Sequence, residues 1–546
     1  MEIQDFDCSR NFIEKIPTKL DKLFLIQAYC ERNFNLLNLV EVYYNQMDSN
    51  AIFLFLIICL VLFVTINFIS IISLKALSKS TNNFIKRLGI SSTLAASTLV
   101  AVINSTPILY SDLSVDSWRS SNTINIILFI GVFIFMTSFV IPVVSFFFSE
   151  DIQLPKLVVL KDLAFFALAL LIIAIFGFMG NINYIFVSLL ISLFVVYLGV
   201  TVLVSFMEEK KDEKIKKKIQ QEEDLENEMK QQYQSRLKQS GVQSQVDAAN
   251  DEEYNSMLED LEKEDNAAEN KEALKQVLKE VFLTGSSMPV NILVSPLMLL
   301  AVLFVPYPDN PLRKTFMRYI SYIAAVSLFL FNLGIPNLSF LIIIAIGTFF
   351  SLILLLFHAI HFRTVIVSSI EEIVALLGTT AIINVGVYLL NDVLSFLAFY
   401  FSLNIAAKYA VIVAANTSLI QLFQSIYLTK EGESKLGAIS CYSTPIFFVY
   451  FILGISSIMN IKRGYRDFNI FLSPTNEANA LMDPFGFNTR LLLFCMMVLS
   501  VLILAVKIIF YLKSNFVLKK TLAYVLLLTY LGFSISGLII GMTTLT

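Results

Sequence analysis

Runs of about 20 apolar residues recur along this chain from residue 51 to its end. A run of this length crosses the roughly 30 Å hydrocarbon core of a bilayer as an α-helix. Because no water is available there to hydrogen-bond the backbone, a helix is the expected form of each run. The composition agrees, since 56% of the 546 residues are hydrophobic and 15% are charged, whereas soluble domains carry about 25% charged residues. The sequence therefore excludes a soluble enzyme and predicts an all-α, polytopic membrane protein in a lipid bilayer.

The apolar runs fall into two groups separated by a charged segment. Five spans precede it, at 51–74, 89–113, 123–148, 157–180 and 183–206. Eight apolar stretches follow it, at 288–305, 319–334, 338–359, 373–401, 404–428, 436–458, 489–512 and 519–542. The 288–305 stretch contains Pro289 and Pro296 and is barely long enough to cross, so we expect it to be re-entrant, which leaves about 12 transmembrane helices. The predicted parts are an extramembrane segment at 1–50, a first half at 51–206, a charged loop at 207–282 and a second half at 283–546.

The loop at 207–282 is rich in Glu, Lys and Gln and poor in aromatic residues. Such a segment buries little apolar surface, so we expect it to be largely disordered with helical ends. The formal net charge of the chain is −3, and this balance gives no indication of a nucleic-acid partner. No nucleophile with a base, phosphate-binding loop or metal cluster stands out in the sequence, which therefore predicts neither an enzyme nor a cofactor.

Two spans differ from the Leu-, Ile- and Phe-rich majority because they are dense in small and hydroxyl side chains. They are GISSTLAASTLVAVINSTPILYSDLS at 89–114 and LNIAAKYAVIVAANTSLIQLFQSIYL at 403–428. Aligning Asn104 with Asn416 gives each an Asn-hydroxyl-hydroxyl triplet. With the re-entrant assignment the two spans are antiparallel, and inverted repeats of this kind mark the ion site of secondary transporters. The alternative is that the small residues allow close helix packing and the polar ones hydrogen-bond between helices.

These two segments resemble the repeat motifs of the sodium/calcium exchanger superfamily, in particular the cation/calcium exchanger branch with the mitochondrial-type sodium/calcium exchangers. The matching residues are Ser91, Ala95, Thr98, Ala101, Asn104 and Pro107 in the first segment and Asn416 and Thr417 in the second. Lys161 and Asp162 resemble the Arg-Asp pair that opens the family's fourth helix. The resemblance implies two inverted exchanger-like halves, cation antiport, and a location in the mitochondrial inner membrane or an endomembrane.

Two cysteines, Cys8 and Cys30, precede the first span and resemble the paired N-terminal cysteines of the same family. The basic clusters of the loops place residues 1–50 on the opposite, non-basic side of the membrane. Disulfides persist on that side, so we predict a disulfide between Cys8 and Cys30.

The acidic residues of both family motifs are missing here. Ile108 stands at the acidic position after Pro107 in the first motif, and Ile420 stands at that of the second. Since Ca²⁺ takes about six to eight oxygens, carboxylates among them, this loss argues against Ca²⁺ as the transported ion. The remaining polar side chains form a candidate site for a monovalent cation, at Asn104, Ser105, Asn416, Thr417 and Thr444. Asp112, one helical turn after Ile108, is a substitute for the missing acid or, alternatively, a solvated residue at the helix end.

Two functions remain open from the sequence. The first is a membrane secondary transporter, a cation antiporter with altered ion preference, which the retained polar triplets favour. The second is a transport-inactive exchanger-like protein that serves as a structural or regulatory subunit of a membrane complex, which Ile108 and Ile420 favour.

Overall fold

The computed structural model describes residues 39, 51–113, 122–147, 152–180, 182–239, 315–332, 342–343, 345–349, 365–462 and 487–543. Helices account for nearly all of these residues. A two-stranded antiparallel sheet joins β1 (Ile152–Gln153) to β2 (Val517–Leu518), pairing Ile152 with Leu518. The predicted fold class, an all-α polytopic membrane protein, is confirmed.

The helices are numbered along the chain. In the first half they are α1 (Ala51–Ile72), α2 (Ser78–Leu88), α3 (Ser92–Ala95), α4 (Ala101–Leu113), α5 (Asn122–Phe135), α6 (Ile141–Phe146), α7 (Lys156–Met179) and α8 (Tyr184–Gln239). In the second half they are α9 (Thr315–Asn332), α10 (Val365–Tyr400), α11 (Ile405–Ala407), α12 (Ala414–Thr417), α13 (Leu419–Lys430), α14 (Ser434–Phe447), α15 (Leu453–Lys462), α16 (Phe487–Lys513) and α17 (Lys520–Thr543).

Ten segments in the described part of the chain are long and apolar enough to cross a membrane, and they coincide with ten of the predicted spans. They are Phe55–Ile72, Ser92–Leu109, Thr123–Phe146, Lys156–Met179, Tyr184–Lys211, Ser369–Tyr400, Lys408–Lys430, Ser434–Lys462, Arg490–Lys513 and Lys520–Met542. Helix α9 falls on the span predicted at 319–334, with a shorter apolar core at Ser321–Leu330. The stretch at 288–305 and most of 338–359 lie outside the described residues, so the total of about 12 spans stays a prediction.

The boundary predicted at residue 206 falls inside a continuous helix. Helix α8 leaves the apolar span and runs on to Gln239, so the first part of the charged loop is helical, as expected for the end of that loop. One reason is that its Glu and Lys residues are good helix formers and lie one turn apart. Lys211 and Glu208, for example, have their charged atoms 3.8 Å apart. The remainder of the predicted loop, 240–282, lies outside the described residues.

Two pairs of helices carry matching interruptions. The first repeat helix consists of α3, a π-helical turn at Ala96–Val100 and α4, and the second consists of α11, a π-helical turn at Lys408–Val413, α12 and α13. The helix after each repeat helix also contains a π-turn, at Met136–Val140 between α5 and α6 and at Phe448–Ile452 between α14 and α15. Because π-turns are rare and often occur at functional sites, their recurrence supports an internal repeat.

The two halves exchange contacts through these helices. Helix α14 packs against the π-turn and α4 of the first repeat helix, while α5 packs against the π-turn and α12 of the second. Gly131 of α5 makes the approach close, because a Cβ atom there would lie 2.9 Å from the Cβ atom of Ala414. The largest hydrophobic core accordingly contains side chains from both halves, among them Phe129 and Phe448. This reciprocal packing agrees with two related halves, and their opposite orientation stays a prediction.

Candidate functional site

The two repeat helices differ in the length of their π-turns. The first turn has five residues and ends at Val100, whereas the second has six and ends at Val413. Counted from the ends of these turns, Asn104 lies level with Thr417 and Ile108 with Gln421. Side-chain bonds to the carbonyl oxygen four residues earlier occur in both helices, from Ser105 Oγ at 2.7 Å, Thr417 Oγ1 at 2.9 Å and Ser418 Oγ at 2.8 Å, so they fit either alignment.

The alignment of Asn104 with Asn416, which places Ile420 at the acidic position of the second repeat, stays a prediction. Counting from the ends of the π-turns instead brings Gln421, a neutral amide with the shape of a glutamate, to the position of Ile108. In this second alignment Ile108-Leu109 and Gln421-Leu422 share the leucine.

Gln421 is the centre of a buried polar cluster that joins the two repeats. Asn104 Nδ2 donates a hydrogen bond to Gln421 Oε1, and Thr444 Oγ1 donates to the same oxygen at 3.1 Å. Gln421 Nε2 lies 2.7 Å from Ser440 Oγ and 2.9 Å from Ser425 Oγ. All five side chains are buried. The cluster therefore brings together α4 of the first repeat helix, α13 of the second, and α14.

The structure brings two of the predicted site residues, Asn104 and Thr444, together through Gln421. Ser105 and Thr417 are buried, but their hydroxyls donate to carbonyls of their own helices, Thr417 Oγ1 to Val413 O at 2.9 Å. Asn416 points elsewhere, since its Nδ2 atom donates to a carbonyl of α10, Val387 O, at 3.2 Å.

Three other predicted residues are not tested by the structure. Asp112 belongs to the last turn of α4, but its side chain lies outside the described part of the molecule. Cys8 and Cys30 also lie outside it. The substitute acid and the disulfide therefore stay predictions.

Two amide oxygens of the repeat helices are free to accept a bond from a ligand. Asn104 Oδ1 and Asn416 Oδ1 are buried, and neither accepts a hydrogen bond from any residue that the structure describes. Leaving a buried acceptor unsatisfied costs about 1–3 kcal/mol. A bound cation or water would remove that cost, so these atoms mark places where the molecule can receive one.

Buried apolar side chains and a buried lysine accompany the polar cluster. Ile108 and Ile420 are both buried. Lys507 of α16 is also buried and has its Nζ atom 4.7 Å from the ring centroid of Tyr442, two residues before Thr444. Within the described ranges, no group of three or more His, Cys, Asp or Glu side chains is arranged to hold a metal ion. The cluster is therefore a set of neutral dipoles.

A second polar network, centred on Asp162 of α7, lies beside the cluster. Asp162 Oδ1 is 3.0 Å from Lys161 Nζ and accepts a hydrogen bond from Tyr197 OH at 3.1 Å. Asp162 Oδ2 accepts one from Ser443 Oγ at 2.8 Å. Lys161 also donates to Thr201 Oγ1 at 2.7 Å. From the sequence this pair is recognised only through a family resemblance, because an acid next to a lysine shows no sign of burial until the helices pack.

The fold and the cluster define a class: a helical membrane protein whose two related repeat helices meet at a buried polar site. Comparison with known proteins finds a family model that matches part of the chain. Residues 371–538, which include Gln421 and Thr444, match the family model described as sodium/calcium exchanger protein. This match supports the resemblance to the sodium/calcium exchanger superfamily that the sequence shows, and it lies in the second half of the chain. The mitochondrial-type branch stays a prediction.

Two solved structures of the sodium-calcium exchanger NCX_Mj are similar to this chain. The one soaked with 100 mM Na⁺ and 10 mM Sr²⁺ has 13% identity and a TM-score of 0.40, covering 87% of this chain and 94% of that one. The one soaked with 10 mM Na⁺ and zero Ca²⁺ has 12% identity and a TM-score of 0.41, covering 90% and 100%. No curated protein sequence matches the chain.

Proposed function

We propose that this protein is a cation antiporter of the sodium/calcium exchanger superfamily with altered ion preference, and that its cargo is a monovalent cation. The observation that carries the proposal is the buried cluster in which Asn104 of the first repeat helix bonds to Gln421 of the second. In secondary transporters the substrate site lies at the interface between repeats, so that rocking of one half against the other exposes it alternately to each side.

The chemistry of the cluster favours a single positive charge. Its oxygens come from amides and hydroxyls, at Asn104, Gln421 and Thr444. Neutral dipoles can replace part of the hydration shell of a monovalent ion, as the carbonyl oxygens of potassium channels do. A divalent ion pays a larger desolvation penalty and prefers carboxylates, which this cluster lacks.

Flux into proteoliposomes tests the proposal. The purified chain is reconstituted, and uptake of Na⁺, K⁺ and Li⁺ is measured against an opposing gradient of each. Asn104→Ala and Gln421→Leu should each abolish exchange, because they remove the oxygens at the repeat interface. Asn125→Ala is the matched control: it removes a buried asparagine that bonds Ser456 Oγ at 2.7 Å, outside the cluster.

The expected result is gradient-driven exchange of a monovalent cation by the wild type and by Asn125→Ala. Exchange that persists in both cluster variants would contradict the site. Exchange of Ca²⁺ in preference to monovalent ions would contradict the proposed ion preference.

The second candidate function is a transport-inactive relative that acts as a structural or regulatory subunit of a membrane complex. The observation that favours it is the burial of Ile108 in the hydrophobic core, at a position where the family has an acid. The second restoring substitution is made at Gln421, which bonds directly to Asn104 of the first repeat helix, and in a separate variant at Ile420, the position that the sequence alignment indicates. If the chain is an inactive relative, the wild type will show no flux, while Ile108→Asp combined with Gln421→Glu will regain cation binding. Isolation of the wild type in a stable larger complex would further support a role as a structural or regulatory subunit.

A further inference from the structure

Asp162 is a buried carboxylate that bonds to α14 and, through Ser443, is connected to the first repeat helix. Its bond to Ser443 Oγ connects it to α14, one residue before Thr444 of the cluster. Ser443 Oγ in turn lies 3.3 Å from Ser97 Oγ, which belongs to the π-turn of the first repeat helix. Asp162 is 1% exposed, Ser97 2% and Ser443 0%. A negative charge therefore lies next to the neutral cluster, supplied by a helix outside the repeat motifs.

The charge of Asp162 is balanced by its sequence neighbour. Lys161 Nζ lies 3.0 Å from Asp162 Oδ1, yet it has two further contacts of its own. It donates to Thr201 Oγ1 and lies 4.4 Å from the ring centroid of Tyr197. Lys161 of α7 can therefore keep its contacts with Thr201 and Tyr197 of α8 when Asp162 binds another cation.

We propose that Asp162 is the anionic ligand of the transported cation, with Ser97 and Ser443 as neighbouring oxygen ligands and Lys161 as a built-in competing cation. This inference rests on the proposed antiport and supplies the negative charge that the repeat motifs lack. With Lys161 within reach, a bound monovalent cation leaves one net positive charge around Asp162, whereas a divalent cation leaves two. The larger excess charge costs more in a low-dielectric site, so the pair favours a monovalent cation.

A purely structural role would make this ion pair a clamp between α7, α8 and α14. The two roles differ in how the protein responds when Lys161 alone is removed. If the ion pair only holds the helices together, Lys161→Met lowers the stability of the protein and added cations do not restore it. As a cation site, the exposed charge of Asp162 would be satisfied by a small cation from solution.

The experiment uses the purified full chain in detergent. Its thermal unfolding is titrated with NaCl, KCl and LiCl, and N-methyl-D-glucamine chloride keeps the ionic strength constant. The variants are Lys161→Met, Asp162→Asn and the charge-neutral double variant that carries both. Removing one member of a buried ion pair is strongly destabilising, so Lys161→Met should unfold at a lower temperature without small cations. Small cations should restore its stability with an apparent affinity at least tenfold tighter than that of the wild type.

Asp162→Asn and the double variant should lose the cation response, and the double variant should keep most of the wild-type stability. A folded Lys161→Met protein whose cation affinity equals that of the wild type would overturn the inference. So would an Asp162→Asn protein that keeps the wild-type response. If Lys161→Met does not fold, Ser443→Ala is a milder variant that tests the same site. Its cation response should be severalfold weaker than that of the wild type. An unchanged response would contradict the inference. Wild-type protein without flux, together with cation binding by Lys161→Met, would contradict the antiport and leave the Asp162 site standing.

Discussion

The bond between Asn104 and Gln421 is predicted to couple the two repeats energetically, and a double-mutant cycle measures that coupling. The perturbations are Asn104→Ala, Gln421→Leu and the variant that carries both. Leucine has nearly the volume of glutamine, so Gln421→Leu removes the polar atoms without leaving a large cavity.

The structure gives the size of the effect. When Gln421 becomes leucine, Thr444 Oγ1 keeps its bond to Ser440 O at 2.8 Å, and Ser440 Oγ keeps its bond to Gly437 O at 2.8 Å. Asn104 loses the hydrogen bond that its Nδ2 atom makes. Leaving that buried donor unsatisfied costs about 1–3 kcal/mol. Since such hydrogen bonds between membrane helices couple by about 0.6 kcal/mol on average and up to about 1.7, we expect a coupling near about 1 kcal/mol.

Equilibrium unfolding in mixed micelles, with increasing fractions of a denaturing detergent, gives the free energy of unfolding of each variant. Asn104→Ala should cost about 1 kcal/mol less in the Gln421→Leu background than in the wild type. The control cycle pairs Asn104→Ala with Asn125→Ala, whose amide bonds Ser456 Oγ on another helix, and the two should be additive within about 0.3–0.5 kcal/mol. A coupling below about 0.3 kcal/mol between positions 104 and 421 would refute the reasoning.

Two further substitutions test the packing around the cluster. Gly131→Ala should destabilise the protein by about 1–3 kcal/mol, because its Cβ atom would lie 2.9 Å from that of Ala414. The control is Gly532→Ala, whose Cβ atom would meet nothing within 4 Å and which should leave the stability unchanged. Equal unfolding free energies for the two variants would contradict the close approach of the helices. Tyr442→Phe removes one member of a buried hydroxyl pair and leaves Tyr511 without that bond. It should lower the free energy of unfolding by about 1–2 kcal/mol, and an unchanged unfolding midpoint would contradict the pairing.

The membrane fold could be predicted from the sequence because hydropathy records it directly. A span such as Lys156–Met179 has a mean hydropathy of 2.6, and no tertiary information is needed to see it. The continuation of α8 to Gln239 was less predictable, since a charged segment can be helical or disordered according to weak local preferences. Its polar composition alone favours disorder.

The site could be predicted only in part. Asn104 and Thr444 are found by polarity within apolar helices. Gln421 is recognised only from its contacts, because its bonds to Asn104 and Thr444 join three separate helices. Asp162 was missed as a site residue because its contact with Ser443 joins positions far apart in the sequence.

The most direct test of the central claim is isothermal titration of the purified wild type and of Gln421→Leu with NaCl, KCl, LiCl and CaCl₂. The account predicts that the wild type binds a monovalent cation, that CaCl₂ gives no binding heat, and that Gln421→Leu abolishes the monovalent signal. Binding of Ca²⁺ by the wild type, or monovalent binding that survives Gln421→Leu unchanged, would contradict it.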